Sequence, residues 1–317
     1  FDTSTRVLLS GVFQVSRAFA TSGMVYTVAL ILSEVLGIKM WHTILIIGVV
    51  TLIYSYQGGM KAVVYGDMLQ MFILFAGIVI CLVAGIQYIG GWEEFVGELD
   101  KDRLQAVDFQ SLGFNGDEFG FWPMLLGGFF LYASYYGTDQ SQVQRLFSAQ
   151  DMGTVKKTLL FNGLLRFPIT FVYCIMGLVI GTLVLKDAAF QEAKQEGKPD
   201  LMIPIFIRDY LPHGLIGILL VAILSAAMSS LSSAINSLSA ATVEDFFNRK
   251  KQLGIKTQLN YSKFAALFWG VFCIVLAFFT GDIADTVIEA INKIGSVFYG
   301  PILATFIAAI CIKKINA

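Results

Sequence analysis

Apolar residues run along this chain in stretches long enough to cross the roughly 30 Å hydrocarbon core of a bilayer. They lie at about residues 5 to 36, 40 to 57, 62 to 89, 120 to 146, 154 to 185, 214 to 246, 261 to 279 and 284 to 312. The pattern predicts an all-α membrane protein with eight transmembrane helices. The stretch from 40 to 57 is the shortest, and it ends in Gly58-Gly59, which favours a turn before the next helix begins. The longest stretches must tilt or project beyond the bilayer.

Composition agrees with this reading. The chain is 56% hydrophobic and 14% charged, against roughly 25% charged residues in a soluble domain, and its mean hydropathy is +0.71. A net charge of −1 with two histidines, His42 and His213, makes no basic field that would attract nucleic acid. Cys81, Cys174, Cys273 and Cys311 each sit alone in an apolar run without metal-ligand spacing, and they read as small buried hydrophobes. Paired carboxylates, a histidine cluster and a nucleophile beside a base are all missing from the pattern, so an enzyme is not expected. The chain opens on Phe1 and closes on Ala317 just after Lys313 and Lys314, which reads as an internal piece of a longer protein.

Sorting the charges into alternate loops orients the helices. One side holds Arg6, Lys61, Arg145, Lys156, Lys157, Arg249, Lys250, Lys251, Lys256, Lys263, Lys313 and Lys314. The other holds fewer basic residues, namely Lys39, Lys101, Arg103, Lys186, Lys194, Lys198 and Arg208. Positive charge marks the cytoplasmic face, so a multi-pass protein of the plasma (cytoplasmic) membrane is expected, with Phe1 and Ala317 both inside. Arg17, Arg166 and Lys293 are left at membrane depth. The long outer loops, about 90 to 119 and 186 to 213, carry Glu93, Glu94, Glu98, Asp100 and Asp102, which read as a solvated helical face.

Three constellations sit inside the apolar stretches. Asp67 lies one turn into an almost uncharged run that continues to Ile89, and a carboxylate there is costly in lipid unless a cation meets it. Far along the chain, Ser225, Ser229, Ser232, Asn236 and Ser239 share a helical stripe about 80° wide, with Ser233 at its edge. A small hard cation would satisfy both features, because carboxylate and hydroxyl oxygens are its preferred ligands. Two plainer readings stand beside this one. The stripe also suits tight helix packing, with hydroxyls bonded to their own preceding turn, and Asp67 also suits an interfacial carboxylate paired with Lys61. Between residues 124 and 145, Tyr132, Tyr135 and Tyr136 are flanked by Gly127, Gly128 and Gly137, glycines that permit a helix break baring backbone to a cavity.

At these residues the chain resembles the sodium:solute symporter family. The matching patterns are Gly58-Gly59-x-x-Ala62-Val63-x-x-x-Asp67-x-x-Gln70, then Asp139-Gln140-x-x-x-Gln144-Arg145, then Ser229-Ser230-x-Ser232-Ser233-x-x-Asn236-Ser237, with a weaker match from Asn292 to Gly300-Pro301. The resemblance implies a partial LeuT-like five-plus-five inverted-repeat core. Residues 1-317 would form one transmembrane transporter domain comprising core helices 3 to 10. Residues 1-89 would then be the remainder of the first repeat, and 120-312 the second.

The resemblance also implies site residues. The Ala226 carbonyl with the Ser229 and Ser230 hydroxyls matches half of the family's common sodium site, and Asp67 with Ser229, Ser232 and Ser233 looks like an additional one. Tyr135 falls where the family places a tyrosine covering the substrate. Tyr132, Arg166 and Lys293 fall at substrate-contacting positions but depart from the sugar-transporting pattern, and burying two cations there calls for a negative partner. The implied function is sodium-coupled import of a small organic solute, either an anion of monocarboxylate, vitamin-like or sialic-acid-like type or a sugar. Sodium would be the coupling ion, the partners would be the solute and the lipid bilayer, and no organic cofactor is expected. A membrane-embedded solute sensor feeding a cytoplasmic signalling domain is the alternative of a different class.

Overall fold

The computed structural model describes residues 2–57, 60–105, 109–115, 120–147, 149–195, 198–248, 253–282 and 286–312; within these, the side chains at 54–57, 60–67, 194, 282, 290, 293 and 294 lie outside the description. The described residues are helical or irregular, with no strand among them. In chain order the α-helices are α1 (Thr3–Leu36), α2 (Met40–Gln57), α3 (Met60–Ile89), α4 (Trp92–Glu98), α5 (Phe121–Thr138), α6 (Gln140–Leu146), α7 (Met152–Leu183), α8 (Ala188–Gln195), α9 (Met202–Tyr210), α10 (His213–Thr242), α11 (Ile255–Ala277) and α12 (Val287–Cys311). Among the described residues, five stretches are long and apolar enough to cross a membrane: Thr3–Leu36, Met68–Ile89, Met152–Leu183, His213–Phe247 and Ile255–Ala277. Shorter apolar stretches occupy Met40–Ile53 and Gly295–Cys311.

Local chemistry explains where several helices begin and end. Asp2 accepts the Thr5 amide at 2.8 Å and starts α1, while Gly37, at φ 66°, closes it with its N–H on the Ser33 carbonyl. Asp151 starts α7 in the same way through the Thr154 amide at 2.6 Å. The predicted stretch from 120 to 146 is not one helix. It breaks at Asp139, whose extended backbone (ψ 115°) separates α5 from α6. Gly127, Gly128 and Gly137 all lie inside α5 and break nothing. The Gly58-Gly59 turn lies outside the described residues.

Helix α10 is the hub, packing against α1, α2, α3, α6 and α11. One core, built from residues such as Ala18, Val25, Ile44, Ile47, Leu231 and Cys273, joins α1, α2, α10 and α11. A second, including Cys81, Val179, Phe190 and Phe206, joins α3, α7, α8 and α9. Helices approach closely at small residues. A Cβ on Gly48 would lie 2.4 Å from the Ile274 side chain, which brings α2 against α11. Large apolar side chains such as Phe72, Phe161, Phe167 and Phe171 stay exposed on outer faces, as hydrocarbon solvent allows. Cys174 and Cys311 are exposed too, so only Cys81 and Cys273 fit the expectation of burial.

The described part of the loop from 90 to 119 contains α4 and a 3-10 turn at Lys101–Leu104; Glu93, Glu94, Glu98, Asp100 and Asp102 are exposed there, while Phe95 is buried and Leu99 half-buried. Glu98 pairs with Lys186 at 2.8 Å. Arg208 of α9 ties that helix to α1 through Glu34.

Candidate ion and solute sites

On α10, the hydroxyl stripe is turned into the protein. Ser229, Ser232 and Ser233 are 7%, 1% and 6% exposed, and Ala226 and Ser230 are half-buried. Helix α10 also packs against α3, the helix that carries Asp67. The Asp67 and Lys61 side chains lie outside the described residues. Among the described residues no three His, Cys, Asp or Glu side chains gather as a metal cluster. The stripe itself offers hydroxyl and carbonyl oxygens, ligands suited to a hard ion.

The stripe does more than one job along its length. Arg145 of α6 donates from Nη2 to Ser233 Oγ at 2.7 Å. Ser237 Oγ donates to Gln144 Oε1 at 3.2 Å and lies 3.0 Å from the Ser233 carbonyl. Ser239 Oγ instead donates to the Ser262 carbonyl of α11 at 2.6 Å, so that end of the stripe ties two helices together. Both packing and polar recognition are present on one helix.

The break between α5 and α6 holds a second constellation. Asp139 Oδ1 accepts from the Ser141 amide at 2.8 Å and from the Ser141 hydroxyl at 2.6 Å, capping α6. Its Oδ2 faces Arg17 Nη1 of α1 at 3.3 Å, and the two side chains are only 2% and 6% exposed. The Arg17 Nε–H is buried with no acceptor among the described residues. Asp139 therefore answers Arg17 and not Arg166. Charge accounting at membrane depth could have signalled this pair, since a buried guanidinium requires a nearby anion.

Tyr135 points toward this centre. Its hydroxyl accepts from Gln142 Nε2 at 2.7 Å, and its ring meets Tyr299 of α12 with centroids 6.4 Å apart. Ser134 Oγ donates to the Tyr299 carbonyl at 2.9 Å. Tyr132 and Arg166 come together beside it, with the Tyr136 ring between, its centroid 6.4 Å from that of Tyr132 and 5.2 Å from that of Tyr135. The Arg166 guanidinium lies 4.7 Å from the Tyr132 ring centroid and donates to the Tyr136 hydroxyl at 2.8 Å. Tyr136 in turn donates to Asn162 Oδ1 at 2.9 Å. Of the expected solute residues, Tyr132 contacts Arg166 and Tyr135 contacts Tyr299, and Tyr136 joins the two pairs. The Lys293 side chain lies outside the described residues. A cavity of about 490 Å³ opens below the break, between Arg6 and Phe13 of α1, Thr138 and Gln140, and Asp245. Arg6 closes its rim by an ion pair to Asp245 at 2.6 Å.

Comparison with known proteins places these features in context. The model of the sodium:solute symporter family matches residues 4–317. The human sodium/iodide cotransporter is 29% identical over 322 residues, covering 99% of this chain and 49% of that protein. The mouse sodium-coupled monocarboxylate transporter 2 is 27% identical over 320 residues, covering 100% of this chain and 51% of that protein. The chain spans about half the length of these relatives. Among solved structures, a Na+-coupled sialic acid symporter in a substrate-bound outward-open state superposes with a TM-score of 0.74 at 20% identity, over 99% of this chain and 65% of that one.

Proposed function

Because the chain belongs to the sodium:solute symporter family, we propose that the full-length protein couples inward sodium movement to import of a small organic solute. The observation that carries the reading is the buried hydroxyl face of α10, with Ser229, Ser232 and Ser233 turned inward on a helix that packs against the one bearing Asp67. Sodium sits among Asp67, Ser229, Ser232 and Ser233 in one site, and against the Ala226 carbonyl, Ser229 and Ser230 in another. The inner surface carries Arg6 and Arg145, both ends face the cytoplasm, and all eight apolar stretches cross the bilayer. The helices from α1 to α3 then close a first five-helix repeat, and those from α5 to α12 form an inverted second. The broken α5–α6 pair supports this arrangement, since irregular backbone at membrane depth is tolerated where it lines a cavity.

Ion binding drives transport only through unequal affinity. Sodium favours the conformation that admits solute from outside, and its differential affinity sets how far the equilibrium shifts. A membrane potential of 100 mV adds about 2.3 kcal/mol per charge moved inward.

The solute is an organic anion held by Arg166 and Lys293. Relatives whose names specify sodium-coupled iodide and monocarboxylate transport support an anionic cargo. A competition uptake screen tests this: monocarboxylates and larger carboxylated solutes should compete, whereas neutral sugars should not. Lys293→Gln keeps a polar group of similar reach but removes its charge, and apparent affinity for the anion should fall by about 1–3 kcal/mol. Competition by neutral sugars alone, with unchanged affinity in Lys293→Gln, would reject the anionic assignment.

A further inference from the structure

We infer that Arg145 serves as an internal cation on the α10 stripe, holding the Ser233 hydroxyl until sodium displaces it, so that sodium binding releases α6. This rests on the sodium reading of the stripe given above. Arg145 Nη2 lies 2.7 Å from Ser233 Oγ, on a serine that is 6% exposed. A guanidinium stays charged and carries only donors, so the hydroxyl oxygen must be the acceptor. The lone pair it uses is one that a hard cation would also seek.

An ion bound to the same oxygen at about 2.4 Å, the distance usual for hard cations of this size, would stand no more than about 5 Å from Nη2. Two like charges so close in a partly buried site disfavour each other by a factor on the order of tenfold in affinity. The hydrogen bond and the ion therefore compete for Ser233.

The consequence reaches the solute group through one short element. Helix α6 runs only from Gln140 to Leu146. Arg145 and Gln144 hold it to Ser233 and Ser237 of α10. One turn earlier, Gln142 donates to the Tyr135 hydroxyl at 2.7 Å. Displacing Arg145 loosens α6 from α10 and alters the support under Tyr135, the side chain proposed to cover the solute. Sodium occupancy and solute enclosure are linked without any contact between ion and solute.

Sodium titrations of solute uptake by the full-length transporter test the inference, normalised to surface abundance and paired with sodium flux in the absence of solute. Arg145→Gln should lower the sodium half-saturation by about three- to tenfold and raise solute-free sodium flux. Arg145→Lys keeps the charge and should stay within about twofold of the parent. In a Ser233→Ala background, which no longer holds the guanidinium beside the ion, Arg145→Gln should have a smaller effect than in the parent. Hydrogen exchange on the unaltered protein supplies a readout independent of any variant: the 140–147 segment should exchange faster in sodium than in choline at equal ionic strength. An unchanged or raised half-saturation in Arg145→Gln, or slower exchange in sodium, overturns the inference when Asp67→Asn and Ser229→Ala still shift the sodium dependence. If those two variants shift nothing, the sodium reading of the stripe fails first.

Discussion

Neutralising either partner of the buried Arg17–Asp139 pair should destabilise the protein by about 3–5 kcal/mol, and neutralising both should cost less than either change alone. Arg17→Met strands a carboxylate that is 2% exposed, and Asp139→Asn strands a guanidinium that is 6% exposed. Asparagine at 139 keeps an oxygen acceptor for the Ser141 amide, so the α6 cap survives and the loss reports the charge. The double variant removes both buried charges, and with them most of the desolvation penalty. Unfolding in detergent, read as a double-mutant cycle, decides the matter. Additive losses would mean that the two charges are not coupled. The pair ties α1 to the broken helix, so its loss should also disturb the position of Tyr135.

The largest effects on coupling are expected at the proposed sodium ligands. Asp67→Asn retains an oxygen and nearly the same volume but deletes the charge that offsets desolvation of the ion. The sodium half-saturation should rise about ten- to a hundredfold, on the order of 1.4–2.8 kcal/mol. Ser229→Ala should be at least as harmful, because that hydroxyl is assigned to both sodium sites and lies 7% exposed. Both variants should reach the membrane at near-normal abundance, since neither leaves a new buried charge unpaired. Unaltered sodium dependence in Asp67→Asn would return that carboxylate to an interfacial structural role.

Much of the fold is legible in the sequence because lipid leaves few ways to satisfy a backbone. Long apolar runs mark helices, and a period of 3.6 residues turns Ser229 and Ser232 inward together. Other features escape this logic for physical reasons. Glycine permits a break but does not cause one, and in an apolar setting Gly127, Gly128 and Gly137 keep their helical bonds. A break needs a replacement partner for freed backbone groups, which Asp139 supplies to Ser141.

The ends and outer faces of helices are harder still. A stripe drawn at a constant angle treats α10 as having one neighbour, yet its far end meets α11, and Ser239 bonds to Ser262 there. Hydropathy cannot separate Cys174, which is exposed, from Cys273, which is buried, because lipid and core are equally apolar. Arg17 and Arg166 look alike in sequence, and only the fold chooses which of them meets Asp139. The inward-facing hydroxyl stripe, by contrast, is carried by several residues at once.

Solute accumulation in proteoliposomes of the full-length protein tests the central claim most directly. An inward sodium gradient should drive uptake above the external solute concentration, a matched potassium gradient should not, and an inside-negative potential should increase the sodium-driven rate. Saturable solute binding with no sodium-dependent flux into the vesicles would contradict the account.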